Sequence, residues 1–182
     1  FTESIKKSMS HTSHFTMGVD VADLNQDGKL DVFTTDMMPY DSKIFLKSGG
    51  EDLDKISRIK KDLGFEQQFS RNHMQINSGN NTFYDVAIQT NTHATDWSWG
   101  VLLQDFDSDG KEDIFISNGI IKRPNDLDYI NYLSNVDFTE YNNSRQDLIK
   151  KKLIDKMPTL KIPNILFKNN GKLNFVKVNS YN

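Results

Sequence analysis

The stretch Gly18-Val19-Asp20-Val21-Ala22-Asp23-Leu24-Asn25-Gln26-Asp27-Gly28-Lys29-Leu30-Asp31-Val32-Phe33 decides the fold, because the chain writes it twice. Gly100-Val101-Leu102-Leu103-Gln104-Asp105-Phe106-Asp107-Ser108-Asp109-Gly110-Lys111-Glu112-Asp113-Ile114-Phe115 aligns with it at a constant offset of 82, without a gap. The alignment runs back through His11 and His93, and Phe15 and Trp97, to Phe1 and Phe83. A second pattern recurs at an offset of 92: Asn72, Met74, Asn77, Gly79, Phe83 and Val86 match Asn164, Leu166, Asn169, Gly171, Phe175 and Val178. One unit therefore occurs twice, with the length difference taken up by an insertion between the two patterns.

Each copy carries an acidic loop, Asp23-x-Asn25-x-Asp27-Gly28-x-x-Asp31 and Asp105-x-Asp107-x-Asp109-Gly110-x-x-Asp113. Acids at positions 1, 3 and 5 of a tightly coiled loop aim alternate side chains at one centre, and the glycine at position 6 permits a sharp backbone reversal. Position 7 supplies a backbone carbonyl, from Lys29 or Lys111, so its side chain is free to vary. The Asp at position 9 closes the shell as the next strand begins. Oxygen-only ligands of this kind suit Ca²⁺. Three or four carboxylates held within ~5 Å repel one another by roughly 1–3 kcal/mol per pair, so such a loop calls for a cation. The spacing predicts two calcium sites, at Asp23, Asn25, Asp27, Lys29 and Asp31 and at Asp105, Asp107, Asp109, Lys111 and Asp113. The second presents one more carboxylate and is expected to bind more tightly. An EF-hand would need Glu at position 12, where Thr34 and Ile116 stand, and helices where strand-like sequence follows.

Composition agrees. The 182 residues include 20 Asp, 18 Asn and only 5 Glu, a balance of turns and oxygen-ligand loops rather than helix surfaces. A net charge of -3 argues against a nucleic-acid module or a cationic membrane binder. No apolar run approaches the ~18–20 residues of a membrane-spanning helix. No signal peptide opens the chain, and with Phe1 at its start we expect a piece of a longer precursor. The absence of cysteine excludes a disulfide scaffold and thiolate metal ligation.

Four strands are expected in each unit: Met17–Ala22, Leu30–Thr35, Asn72–Asn77 and Thr82–Ala87, then Trp99–Gln104, Glu112–Ser117, Asn164–Lys168 and Asn174–Val178. Ser78-Gly79-Asn80-Asn81 and Asn169-Asn170-Gly171-Lys172 supply hairpin turns. Phe1–Ile5 is expected to be the last strand of a preceding unit. Between second and third strands lie insertions with helical spacing: Leu53, Ile56, Ile59 and Leu63 stopped by Gly64, a short helix capped by Asn125, and Ser144–Met157 ended by Pro158.

The Gly-led strand, the loop with Asp at position 9 and the apolar strand after it resemble the FG-GAP (VCBS-type) repeat of integrin-α-like β-propellers. The stretches 11–23, 95–100, 125–133 and 163–171 resemble the long-insert bacterial members related to cartilage acidic protein. The resemblance implies a mainly β fold: two four-stranded blades of a β-propeller, a partial ring, with helical insertions between second and third strands. It divides the chain into 1–16, a preceding strand and linker; 17–87, a first blade with its insertion at about 37–70; and 88–182, a second blade with its insertion at about 119–162. It further implies a non-catalytic calcium-binding module of an exported or cell-surface scaffold. Its partners would be the remaining blades and a protein or carbohydrate ligand, met by the insertions. The alternative is a fragment of a propeller enzyme acting on polysaccharide, lyase-like, which would need convergent His, Arg, Lys or Tyr. His73, Arg71 and Tyr84 are scattered candidates for that role; His11 and His14 are expected to pack or turn, and one of Trp97 and Trp99 to be exposed.

Overall fold

A computed structural model describes residues 2–49, 52–136 and 146–178. Its main body is two four-stranded antiparallel sheets, each a simple meander interrupted by helices. The first sheet contains β2 (Gly18–Ala22), β3 (Asp31–Thr35), β5 (His73–Gly79) and β6 (Thr82–Asp85), in that spatial order. The second contains β7 (Ser98–Gln104), β8 (Asp113–Asn118), β9 (Ile165–Asn169) and β10 (Phe175–Val178), again in chain order. Equivalent strands pair in equivalent registers: Phe33 opposes Met74 as Phe115 opposes Leu166.

Alternation sets which face is buried. In β3 the residues Asp31, Phe33 and Thr35 point inward, and in β9 Ile165, Phe167 and Asn169 do. Phe33, Met74 and Ile76 of one sheet join Val101, Ile114, Ile116, Ile165 and Phe167 of the other in one continuous core. The sheets thus pack face to face, and β7 is the strand that meets the first sheet most closely, along β2. There Asp20 Oδ2 accepts the Leu103 N–H at 2.8 Å. A Cβ on Gly18 would lie 2.9 Å from the Gly100 Cα, so the two first strands approach as closely as they do only because Gly18 lacks one.

The hairpin turns expected between third and fourth strands form. Asn80 and Asn81 adopt φ of 54° and 60°, the left-handed pair that an Asn-rich two-residue turn supplies. The insertions carry α2 (Ser42–Lys47), α3 (Asp54–Asp62), α4 (Leu127–Ser134) and α5 (Gln146–Lys156). Gly64, at φ 88°, stops α3: its N–H and that of Phe65 donate to the carbonyls of Lys61 and Lys60. Asp126 rather than Asn125 caps α4, its carboxylate accepting the Tyr129 N–H at 3.0 Å. The expected helix 144–157 is seen as α5, and its first two residues lie outside the described part. The two insertions touch, through Lys47 and Asp128 at 2.7 Å and through the Gly49 N–H on the Asn125 carbonyl. Among the described residues no helix is long and apolar enough to cross a membrane.

The amino-terminal segment differs from expectation. Within Phe1–Ile5 the described residues form no strand; Ile5–Ser8 is a single helical turn, α1, its first N–H held by the Glu3 carboxylate at 2.6 Å. The chain then forms β1 (His11–Ser13), which pairs in parallel with β4 (Gln67–Phe69) of the first insertion. A local carboxylate at Glu3 satisfies the free N–H and favours the helical turn over an extended edge.

Candidate metal centre

Both acidic loops are the β-hairpin connections between first and second strands, 23–30 between β2 and β3 and 105–112 between β7 and β8. They coil in the same way because position 4 and position 6 both take left-handed backbone: Gln26 (φ 62°) and Gly28 (83°), Ser108 (62°) and Gly110 (82°). That coil turns backbone N–H groups toward the acids. The Asp27 N–H donates to Asp23 Oδ1 and Asn25 Oδ1, both at 3.0 Å, and the Gly28 N–H to Asp23 Oδ2 at 2.8 Å. The second loop repeats this, with the Asp109 N–H on Asp105 at 3.0 Å and Asp107 at 3.2 Å and the Gly110 N–H on Asp105 at 2.8 Å.

The acids at position 9 are buried at the root of each loop. Asp31 accepts the Leu24 N–H at 2.9 Å on one oxygen and the Asn77 N–H at 2.8 Å on the other. Asp113 does the same with Phe106 at 3.2 Å and Asn169 at 2.8 Å. Each therefore ties its loop to the third strand. Burial pushes the Asp31 carboxyl up, against the backbone donors that lower it. Asn77 and Asn169, matched in the sequence by the 92-residue offset, continue the tie by accepting the N–H of Gly79 and Gly171 at 2.9 Å. Asn169 also donates to the Leu24 carbonyl at 3.0 Å, and Gln26 donates to the Gly110 carbonyl at 2.9 Å, so the two loops lie side by side.

In the second loop, ligand oxygens of Asp105, Asp107 and Asp109 gather within 4.8 Å of one another. Three Asp carboxylates of the first loop are not drawn into such a group; Asn25 holds the intervening place. Lysine ammonium groups lie on the acids in both. Lys29 pairs with Asp27 at 2.8 Å and Lys111 with Asp109 at 3.0 Å, while Lys168 reaches from β9 to Asp107 and, at 3.5 Å, to Asp109. The Lys29 hydrogen bond lowers the Asp27 carboxyl and that of Lys111 lowers Asp109; Asp107 raises the Lys168 ammonium. Converging carboxylate oxygens are the donor chemistry of a hard divalent ion, and the residues fit Ca²⁺, which would have to displace the ammonium groups from them. Asp105, Asp107 and Asp109 would hold it in the second loop, and Asp23, Asn25 and Asp27 in the first. For Lys29 and Lys111, expected at position 7 through their carbonyls, the structure shows side chains engaged within their own loops.

Sequence reasoning missed one cluster. His11 Nε2 and His73 Nδ1 each lie 2.9 Å from Asp85 Oδ2, and these three residues also meet metal-ligand spacing. The Arg71 guanidinium lies 2.7 Å from the same oxygen and takes the place a cation would need. The other oxygen accepts the N–H groups of Met74 at 3.1 Å and Ala87 at 2.9 Å. Burial alone would raise this carboxyl, but the hydrogen bonds from His73, His11 and Ala87 and the Arg71 charge hold it well below the usual carboxylate range. The knot fastens β1 to β5 and β6. Tyr84 is half exposed and takes no part, and Trp99 is the exposed member of the tryptophan pair.

Residues 60–116 match the family model of the FG-GAP-like repeat. The match begins at the end of α3, passes through β5, β6 and β7, and includes the whole second acidic loop. No curated protein and no solved structure matches the chain.

Proposed function

We propose that the chain is a non-catalytic, calcium-stabilised repeat module, two blades of a larger β-propeller, displayed outside the cell as a binding scaffold. The observation that carries this reading is the convergence of Asp105, Asp107 and Asp109 inside the FG-GAP-like repeat. Calcium would neutralise acids that otherwise repel, fix the turn between first and second strands, and hold each sheet to its neighbour through the paired loops. The meander topology and the face-to-face packing of the sheets support the assignment to blades. The non-catalytic reading is supported by the fate of His73 and Arg71: both are committed to Asp85. Ligand recognition falls to the insertions, which join one another at Lys47–Asp128 and Gly49–Asn125.

Calorimetric titration with Ca²⁺ tests it. The account expects two binding events in the unaltered chain and one in either Asp27→Ala or Asp109→Ala. The site surviving in Asp27→Ala, with four Asp in its loop, is expected to bind roughly tenfold more tightly than the other, about 1–2 kcal/mol. No heat of binding at millimolar Ca²⁺, or titrations unaltered by both substitutions, would refute it.

A further inference from the structure

The first insertion builds a cavity of about 560 Å³ that no residue of the acidic loops lines. That volume lies within the ~300–1,000 Å³ of small-ligand sites. One wall is α3, the floor is β4, and Lys6 of α1 and Ser10 close the far side. Four cations line it, Lys6, Arg58, Lys60 and Lys61, against two carboxylates, Asp52 and Glu66. Both carboxylates are already matched. Lys60 Nζ lies 2.6 Å from Asp52 and 2.8 Å from His14 Nε2, and Lys6 pairs with Glu66 at 3.6 Å. The side chains of Arg58 and Lys61, one turn apart on α3, have no ion-pair or hydrogen-bond partner among the described residues. Two unmatched cations at i and i+3 face one cavity.

The rest of the lining says what kind of anion fits. Gln67 and Gln68 offer amides and Ser57 a hydroxyl, groups that both donate and accept, as a ligand rich in hydroxyl groups requires. Phe65 adds a largely exposed ring that presents a flat apolar face. Arg58 can take a carboxylate or sulfate through two parallel N–H bonds. Lys60, pinned by Asp52 and His14, is held in place before any ligand arrives, which lowers the ordering cost of binding.

We propose that this cavity is a binding site for acidic oligosaccharide, with Arg58 and Lys61 receiving its carboxylate or sulfate groups and Phe65 stacking on a sugar face. The proposal goes beyond the calcium scaffold and uses none of its ligands, so failure of the calcium titration and failure of this one are separate results.

The test is titration of the chain, in calcium, with a uronate tetrasaccharide, a sulfated tetrasaccharide, a neutral tetrasaccharide and tetraglutamate. At least one acidic sugar is expected to bind at least tenfold more tightly than the neutral sugar and the peptide; which acidic sugar is preferred identifies the group received. Arg58→Gln with Lys61→Gln is expected to weaken acidic-sugar binding at least tenfold and to flatten its salt dependence. Phe65→Ala is expected to weaken it without altering the salt dependence. Both residues of the double variant are surface positions of a helix, and an unchanged melting temperature confirms that it folds. Equal binding of neutral and acidic sugars, equal binding of tetraglutamate, or a folded double variant that binds as before would overturn the proposal.

Discussion

Asp31 and Asp113 do a second job that the other acids of their loops do not share. Each spends both carboxylate oxygens on backbone N–H groups, one at the start of its own loop and one on the third strand. An oxygen with two lone pairs can accept an N–H and still face an ion. The spacing in the sequence marked these residues as candidate ligands, but not as ties, because the strand they reach lies 46 or 56 positions away. Lys168 was invisible for a different reason. The residue aligned with it in the first unit is Ile76, which is buried, so nothing in the repeat marked position 168. Its ammonium sits on Asp107 and Asp109 and competes with any incoming cation. Lys168→Gln should therefore raise calcium affinity at the second loop by roughly fivefold, about 1 kcal/mol, and leave the first loop unaltered. Calorimetry on an Asp27→Ala background isolates that site; an unchanged or weaker affinity would count against the competition.

Strand pairs and hairpins were legible from the sequence, since alternating apolar residues and turns rich in Asn and Gly recur in two copies and each copy corroborates the other. The β1–β4 pair was not. Three-residue strands carry too little alternation to register, and their partnership spans 56 positions. What holds that pair to the sheet is the Asp85 knot. Because its folded carboxyl is depressed, Asp85 contributes stability above the ordinary carboxylate range, ~3.9, and that stability is lost as pH falls through and below it. Asp85→Asn should flatten the acid limb of the stability curve and cost about 3 kcal/mol near neutrality, leaving Arg71 buried without its counter-charge. Urea melts from pH 3 to pH 7 read both, and an acid limb identical to that of the parent would exclude the role. The first strands make a separate demand. A methyl at Gly18 meets backbone at 2.9 Å, whereas one at Gly100 meets the Ser117 hydroxyl at 3.2 Å, which can rotate away. Gly18→Ala should cost about 1–3 kcal/mol and Gly100→Ala under ~1. Equal losses in denaturant melts would show that the close approach of β2 and β7 is not what fixes the glycine.

Across the whole molecule, one core joins the sheets, and the two acidic loops meet at one end of it through Gln26–Gly110 and Leu24–Asn169. Loop geometry and core packing are thereby coupled: a cation that sets one loop also sets the contact between sheets. The pair of like four-stranded sheets was foreseeable from the repeat, while the docking of the insertions on one another was not, because it rests on single contacts such as Lys47–Asp128. Val19, Val21, Trp99 and Leu102 remain about half exposed on the first strands. The most direct test of calcium as the element that stabilises the pair of sheets is thermal unfolding of the chain in chelator and in millimolar Ca²⁺. At a concentration about 100 times Kd, each occupied site adds ~2.7 kcal/mol. At about 2–4 °C per kcal/mol for a chain of this size, one site raises Tm by roughly 5–10 °C and two by more. A rise of that size, reduced in Asp109→Ala, is the predicted result, and a Tm that is the same in chelator and in calcium would contradict the account.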